Sequence, residues 1–315
     1  MYYPYLRARQ FELIALRELT QEGSLNGLVT PILEPVKDSF NNIKLAFDVF
    51  KEHNQSAYLV LNPSVGQVSG NVLEVVGFLS KYDNTCEFIK PAFHFHNNAA
   101  YIRQTIEDYN LVNCMLICSE STDAEDVDFL ELIDLQQVVE VNVESPMSNR
   151  SLHSLMKDKD NPYLRLDDNF EKEPRNSNFL GLAERKFSEE HIYYQDDGFD
   201  GFSDYTVLPS EFIDGGSAPR AVVIHLTYLK ANGQIWVKHF TSDTNDSIAN
   251  VQGKFAEAAQ KAVRFCRTEN LNNSAIEELE DYYDREHYPG LGTVKKISIK
   301  NHIIIVSQYL QNNPL

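Results

Sequence analysis

Hydrophobic and polar positions along this chain repeat with two different periods. Short apolar runs, such as 57–61 and 114–118, are typical of buried strands, whereas Ile43, Phe47 and Phe50 recur at the spacing of one helix face. Most of the strand-like runs are followed by a helical segment. There are eight such runs, at 28–34, 57–61, 88–95, 114–118, 138–143, 162–166, 201–207 and 221–229.

This regular alternation of strand and helix predicts parallel strands joined by right-handed crossovers. Eight such units predict an α/β fold of the TIM-like (β/α)8 barrel type. A doubly wound open sheet is the alternative. It is the less favoured of the two, because no glycine-rich dinucleotide loop follows the first strand.

Two segments depart from the plain barrel pattern. The long polar stretch 167–198 follows the sixth strand-like run and predicts an elaborated loop that carries a helix. Asn232-Gly233 separates the eighth strand-like run from a further β-rich run, which predicts a β-hairpin extension after the eighth strand. We therefore expect a single elaborated barrel domain over 1–315, with its core at about 28–268 and a helical or extended appendage at about 269–315.

Period-2 alternation within each strand predicts which side chains face the barrel interior. Where one face of a strand is aliphatic, we assign that face to the surrounding helices and the polar face to the interior. This rule places inside Lys90, Glu140, Arg165 and His225, with Glu34, Asn62, His94, Asn142 and Asp167 nearer the carboxyl-terminal rim. Charges are costly to bury unless they are paired, so the set predicts either a polar site or an ion-paired network that fixes strand register.

If the interior is a site, each residue type has a chemical role. Glu140 or His225 is the candidate general base, and Lys90 completes the catalytic candidates. Lys90, Arg165 and Arg175 are the candidates for holding an anion, and the two arginines suit this role because a guanidinium binds phosphate or carboxylate with two parallel hydrogen bonds. The other substrate-binding candidates are Asn62, Asn142, Glu34, Asp167 and Asp204.

No metal site is expected, and no motif identifies a cofactor. The acidic residues Asp167, Asp168, Glu171 and Asp204 would suit a divalent cation if they met. Acidic residues are so abundant in this chain that such a grouping also arises by chance.

The charge and hydrophobicity of the chain limit the kinds of partner and the compartment that we expect. The 315 residues include 28 Lys and Arg against 46 Asp and Glu, a formal net charge of −18. This balance counts against general DNA or RNA binding and suits a protein that engages a basic partner. No apolar run is long enough to span a membrane, and residues 1–7 lack the apolar core of a secretion signal. We therefore expect a cytoplasmic protein whose cysteines, at 86, 114, 118 and 266, are reduced and buried.

Four segments resemble a known family. They are YPYLRARQFEL at 3–13, PILEPVK at 31–37, DDNF at 167–170 with RN at 175–176, and GFSDY at 201–205 with AVVIH at 221–225. Over nearly the whole chain, they resemble a bacterial family of unassigned function related to the beta protein of satellite phages. The resemblance implies a cytosolic protein encoded beside a toxin-like or nuclease-like partner, in a module linked to anti-phage defence. It brings no assigned catalytic residues.

Two hypotheses from different classes follow. In the first, the protein binds a partner effector, with an anionic ligand held in the barrel pocket, and its negative charge steers it toward a basic partner. In the second, it is a barrel enzyme that acts on a phosphate-ester or nucleotide-like substrate by general acid–base chemistry. The sequence leaves both open.

Overall fold

Eight parallel strands form the central sheet of this computed structural model, which describes residues 1–83, 85–215 and 219–314. The strands pair in chain order, and the sheet closes where Tyr2 bridges Phe202. Across this seam the Tyr3 N–H donates to the Phe202 carbonyl at 2.8 Å. The closure confirms the predicted TIM-like barrel. Its strands are β1 (Tyr5–Leu6), β2 (Ile32–Leu33), β3 (Ala57–Val60), β4 (Ile89–Phe95), β5 (Cys114–Cys118), β6 (Val138–Glu144), β7 (Tyr163–Asp167) and β9 (Gly201–Asp204).

Helices alternate with the first seven barrel strands, as the periodicity predicts. In the second of them, for example, the buried residues Ile43, Ala46, Phe47 and Phe50 form one stripe. The helices are α1 (Gln10–Gln21), α2 (Asn41–Glu52), α3 (Val72–Tyr82), α4 (Ala99–Asp108), α5 (Val127–Ile133) and α6 (Arg150–Lys157), the last preceded by a 3₁₀ turn at Pro146–Ser148.

Two strand assignments made from the sequence are wrong. The pattern misses β1, because two residues between a proline and an arginine make no apolar run. It also counts 221–229 as the eighth barrel strand, whereas most of that run is β10 (Val223–Leu229), which pairs antiparallel with β11 (Ile235–Thr241) outside the barrel. The other seven runs are barrel strands.

The elaborated segment lies between β7 and β9. It contains a 3₁₀ helix (Asn176–Leu180), β8 (Glu184–Ser188) and the short helix α7 (Glu190–Tyr193). Strand β8 pairs with β11, so β10, β11 and β8 form a second, antiparallel sheet. The Gly233 N–H donates to the Lys230 carbonyl at 2.9 Å in the turn between β10 and β11, which confirms the predicted hairpin.

Three helices follow the hairpin: α8 (Val251–Glu269), α9 (Ser274–Asp284) and α10 (Leu291–Asn312). Helix α10 packs on α1, on α9 and on β10, and 14 of its residues are buried. Lys296 and Lys300 of α10 both form ion pairs with Glu18 of α1. Because α10 also reaches β9 through His302, it covers the seam where the barrel closes, the place that the eighth outer helix takes in a (β/α)8 barrel.

The apolar core has two layers. A larger one lies between the barrel and its helices and extends into the second sheet. A smaller one fills the barrel interior and consists of Tyr3, Tyr5, Ile32, Tyr58, Val60, Ala92, Met115, Ile117, Leu164, Leu166 and Tyr205. The barrel is thus a packed core rather than a pore. Among the described residues, no helix has the length and apolarity needed to cross a membrane.

Candidate functional site

The barrel interior holds two of the predicted charged residues, Lys90 and Glu140. The Lys90 Nζ lies 5.5 Å from the ring centroid of Tyr58, and the Glu140 Oε1 accepts a 3.5 Å hydrogen bond from Tyr3. The second carboxylate oxygen of Glu140 is buried and makes no hydrogen bond within the described chain. Burial raises the pKa of Glu140 above its ordinary value, and the nearby Lys90 opposes that shift. The predicted inward direction of both side chains is therefore correct.

Asn142, two residues further along β6, also points inward as predicted. It is completely buried, and its Nδ2 donates to the Ser203 Oγ at 3.0 Å. Its amide oxygen has no hydrogen-bond partner among the described residues. Asn142 therefore ties β6 to β9 across the interior.

Glu34 forms the most completely satisfied polar cluster, at the carboxyl-terminal rim after β2. Its carboxylate is fully buried and accepts hydrogen bonds from the Tyr5 hydroxyl (2.6 Å), the Ser64 N–H (2.7 Å) and the Ser64 hydroxyl (2.9 Å). Arg7, directly after β1, forms an ion pair with it. These partners compensate the cost of burying the charge.

His94 extends this cluster toward β4. Its Nε2 lies 3.0 Å from the Tyr5 hydroxyl oxygen, and burial lowers its pKa to about 4, so the imidazole is neutral at pH 7. Since Tyr5 gives its single hydrogen to Glu34, His94 must donate from Nε2. Asn62 fixes the His94 backbone with two 2.8 Å hydrogen bonds. The result is a relay of hydrogen bonds from His94 through Tyr5 to Glu34.

Arg165 lies outside the barrel, so its predicted inward placement is wrong. The interior face of β7 carries Leu164 and Leu166 instead. On the outer face, the Arg165 Nε donates to Asp167 at 2.7 Å, and its guanidinium also contacts Glu190 and Asp197. Three carboxylates already surround this cation, which leaves it poorly suited to hold a substrate anion. The predicted inward direction of Asp167 is wrong for the same reason.

His225 is also wrongly assigned to the interior, because β10 is not a barrel strand. Its Nδ1 lies 2.7 Å from the Nδ1 of His239 on β11. Asp204 is buried on the outer side of β9, where Tyr2 donates to it at 2.7 Å. Arg175 is exposed just before the 3₁₀ helix at Asn176–Leu180. The ten predicted site residues therefore occupy several places rather than one pocket.

Part of the polar cluster around Glu34 is not predicted from the sequence. Tyr5, Arg7 and Ser64 hold Glu34, and the Tyr205 hydroxyl donates to Glu144 at 3.2 Å beside them. Tyr5 and Arg7 flank Leu6, so in a strand their side chains lie on the same face. This pattern indicates that they lie together only once β1 is recognised as a strand. Across the described ranges, no group of three or more His, Cys, Asp or Glu side chains is placed to hold a metal ion. Asp204 is buried and accepts a hydrogen bond from Tyr2, whereas Asp168 is exposed and accepts one from Ser210.

A second candidate is an acidic surface on α4, α5 and the loop before α5. Residues 104–149 contain 11 Asp or Glu and no Lys or Arg. We define the acidic surface as its exposed members, Glu107, Asp108, Glu120, Glu125, Asp123, Asp128, Glu131 and Asp134. Helices α4 and α5 pack against each other, and ion pairs with Arg103 and Lys159 involve only Glu131 and Asp134.

Large apolar side chains are exposed within the same segments. Val127 in the first turn of α5 is 65% exposed, and Met147, in the 3₁₀ turn that follows β6, is 55% exposed. Asn149, two residues after Met147, donates hydrogen bonds to the carbonyls of Glu120 and Thr122, which holds this turn against the acidic loop. The surface therefore combines apolar contact area with negative charge, most of which forms no ion pair within the described residues.

Comparison with protein-family models, with curated proteins and with solved structures gives no match for this chain.

Proposed function

We propose that this protein is a binding component of a bacterial defence or toxin-partner module, and that it works in the cytoplasm by engaging a basic partner protein through its acidic surface. The observation that carries the proposal is the stretch 104–149, in which 11 acidic residues occur without a single Lys or Arg. The resemblance noted from the sequence implies a toxin-like or nuclease-like partner. Nucleases need cationic surfaces to hold their substrates, so such a partner would complement this charge.

The composition of the acidic surface supports protein binding. Interfaces combine an apolar centre with a charged rim, and Val127 and Met147 supply exposed apolar area beside Glu120 and Glu125. Opposed charges at the rim speed association and select the partner, more than they add affinity. The four cysteines are free and buried, in keeping with the proposed reducing compartment.

The test measures binding to the product of the adjacent gene, purified separately, by calorimetry at 50 and 300 mM salt. The variant Glu107→Lys/Glu120→Lys/Glu125→Lys reverses three exposed charges whose carboxylates form no hydrogen bond or ion pair among the described residues. We expect its affinity to fall at least tenfold, and its salt dependence to flatten or invert. The matched control Asp246→Lys/Glu269→Lys/Glu286→Lys makes the same change in net charge at other exposed positions. Equal losses in the two variants, or no binding by the unmodified chain, would contradict the proposal.

A second candidate function, an enzyme for phosphate-ester or nucleotide-like substrates, is favoured by one observation. The His94–Tyr5–Glu34 relay lies at the carboxyl ends of the barrel strands, where TIM-barrel enzymes carry their active sites. A neutral His94 could accept or relay a proton there. The test screens phosphate monoesters and nucleotides for turnover with the unmodified chain and with His94→Gln. Turnover that is lost in a folded His94→Gln variant would favour the enzyme, whereas no turnover of any ester would exclude this candidate.

A further inference from the structure

A groove of about 410 Å³ lies between the 3₁₀ helix Asn176–Leu180, β11 and α8. None of its lining residues belongs to the barrel strands or to the acidic surface. Its volume is within the range of pockets that hold small molecules. It is therefore a separate candidate for ligand binding.

Three cationic side chains line this groove, although the chain as a whole carries a net charge of −18. Lys238 bonds Glu184 at 2.8 Å, and Lys261 bonds Asp243 at 2.7 Å. Arg264 is exposed, and its guanidinium makes no hydrogen bond or ion pair with the described part of the chain. Arg264 thus offers a free planar fork of donors, the geometry that matches phosphate or carboxylate.

Two buried polar atoms of the lining residues have no hydrogen-bond partner in the part of the chain that the structure describes. His239 is 6% exposed and Thr241 is 3% exposed, yet the His239 Nε2 and the Thr241 Oγ1 make no hydrogen bond within the described residues. The other ring nitrogen of His239 is engaged with His225. Burial lowers the pKa of His239 to about 4, so its ring is neutral at pH 7 and Nε2 can either donate or accept. Leaving two such atoms unsatisfied is costly, and a polar ligand would remove that cost.

The walls of the groove are aromatic. Phe179 lies on one side, with its ring centroid 4.4 Å from that of His239, and Phe265 lies on α8, with the Lys238 Nζ 4.7 Å from its centroid. Both residues line the groove. Aromatic faces of this kind stack on planar rings, and they do so with little dependence on the identity of the ring.

We propose that this groove binds a small anion that carries a planar ring, of the size of a nucleoside monophosphate, with the ring against Phe179 and Phe265 and the anionic group at Arg264 and Lys261. The cations supply the charge recognition, and His239 and Thr241 supply the two hydrogen-bonding atoms that lack partners. This ligand would be bound independently of the acidic surface, because the two sets share no residue.

Calorimetric titration with AMP, GMP, CMP and UMP tests the proposal on the full chain. We expect at least one of them to bind saturably below 1 mM, and the corresponding nucleoside or inorganic phosphate alone to bind at least tenfold more weakly than that nucleotide. Arg264→Glu should weaken the nucleotide affinity at least tenfold, since it replaces the unpaired guanidinium with a like charge. Phe179→Leu should weaken the affinity for the nucleotide but not the affinity for inorganic phosphate, because it removes only the aromatic face on which the ring stacks.

Arg150→Glu is the matched control. Arg150 is exposed at the start of α6, and its substitution changes the net charge as much as Arg264→Glu does. We expect this variant to bind nucleotides as the unmodified chain does. The proposal is overturned if none of the four monophosphates binds up to 10 mM, or if Arg150→Glu and Arg264→Glu weaken binding equally. Circular dichroism of each variant confirms that it is folded before the titrations are compared.

Discussion

The Nε2 of His302 lies 3.2 Å from the Oδ2 of Asp204, which joins α10 to the last barrel strand across 98 residues of sequence. Both residues are buried, and the His302 Nδ1 lies 3.2 Å from the Thr227 Oγ1 on β10. The Tyr2 hydroxyl donates to the other oxygen of Asp204. A single carboxylate therefore connects the barrel seam, the covering helix and the second sheet.

Asp204→Asn should destabilise the fold by about 3 kcal/mol, because the charged hydrogen bonds to His302 and Tyr2 are weakened while their polar atoms stay buried. Urea denaturation of this variant against the unmodified chain measures the loss. Asp196→Asn, at an exposed position, is the control and should leave the free energy of unfolding unchanged within about 0.5 kcal/mol.

The stabilisation by Asp204 should depend on pH. Burial alone would raise its pKa, but the adjacent His302 and the hydrogen bonds from Tyr2 and Thr206 hold that pKa below the ordinary value. Because the folded pKa is lower than the unfolded one, the contribution is complete above the unfolded value of about 4 and disappears as pH falls through the folded value. The stability difference between the unmodified chain and Asp204→Asn should therefore be constant from pH 8 to about 5 and shrink below about 4. A difference that persists undiminished at pH 2 would contradict this account.

Arg165→Lys should reduce stability modestly and leave ligand binding intact. The guanidinium bridges Asp167, Asp197 and Glu190, and a lysine ammonium cannot reproduce the two parallel bonds to Asp167. We expect a loss of about 1–2 kcal/mol in the free energy of unfolding. Nucleotide and partner titrations of the same variant should match the unmodified chain, and a folded variant that has lost either interaction would show that Arg165 belongs to a site.

Gly66→Ala should be more destabilising than Gly70→Ala. Both glycines have positive φ, so alanine is strained at either position by about 1 kcal/mol. At Gly66 an added Cβ would also lie 2.5 Å from the Val36 carbonyl oxygen, whereas at Gly70 no described atom lies within 4 Å. The backbone shift needed at Gly66 should add about 1–3 kcal/mol. Thermal unfolding of the two variants separates the clash from the conformational strain, and equal melting temperatures would contradict the prediction.

All four thiols should be unreactive in the folded protein. Cys86, Cys114, Cys118 and Cys266 are buried and free, and burial raises the pKa of each of them, to about 12 for Cys266. Because the thiolate is the reactive species, Ellman's reagent should label no thiol at pH 7 and four in guanidinium chloride. Rapid labelling of one thiol without denaturant would contradict the described burial.

The sequence correctly predicts those elements that bury one apolar face and leave the other face polar. Helix α2 is amphipathic, and β6 exposes Val141 and Val143 to the helices and Glu140 to the interior, so its alternation is read correctly. In β7 the same rule fails, because both faces of a barrel strand are buried and the aliphatic face is the inner one. The periodicity of Leu164 and Leu166 is real, but it does not say on which side of the sheet they lie.

Long-range closure accounts for the other errors. Strand β1 is recognisable as a strand only through its pairing with β2. Because the sequence pattern misses β1, it reaches eight barrel strands only by including the run that contains His225, which belongs to the second sheet. The apolar run Ile303–Val306 is compatible with helix or strand, so the appendage at about 269–315 is predicted only as helical or extended, whereas Leu291–Asn312 is a single helix, α10. Helix α10 is buried on nearly all sides, between α1 and β10. It therefore lacks the alternation of apolar and polar faces by which an amphipathic helix is recognised in a sequence.

The position of α10 has a consequence for biosynthesis. The barrel strands are all present once residue 204 has been translated, but the helix that covers their seam begins at residue 291. While the ribosome adds the intervening residues, Tyr2 and Asp204, which contact His302 of α10 in the complete fold, lack that cover. The nascent barrel would then be open to chaperones, or to premature association, throughout that interval.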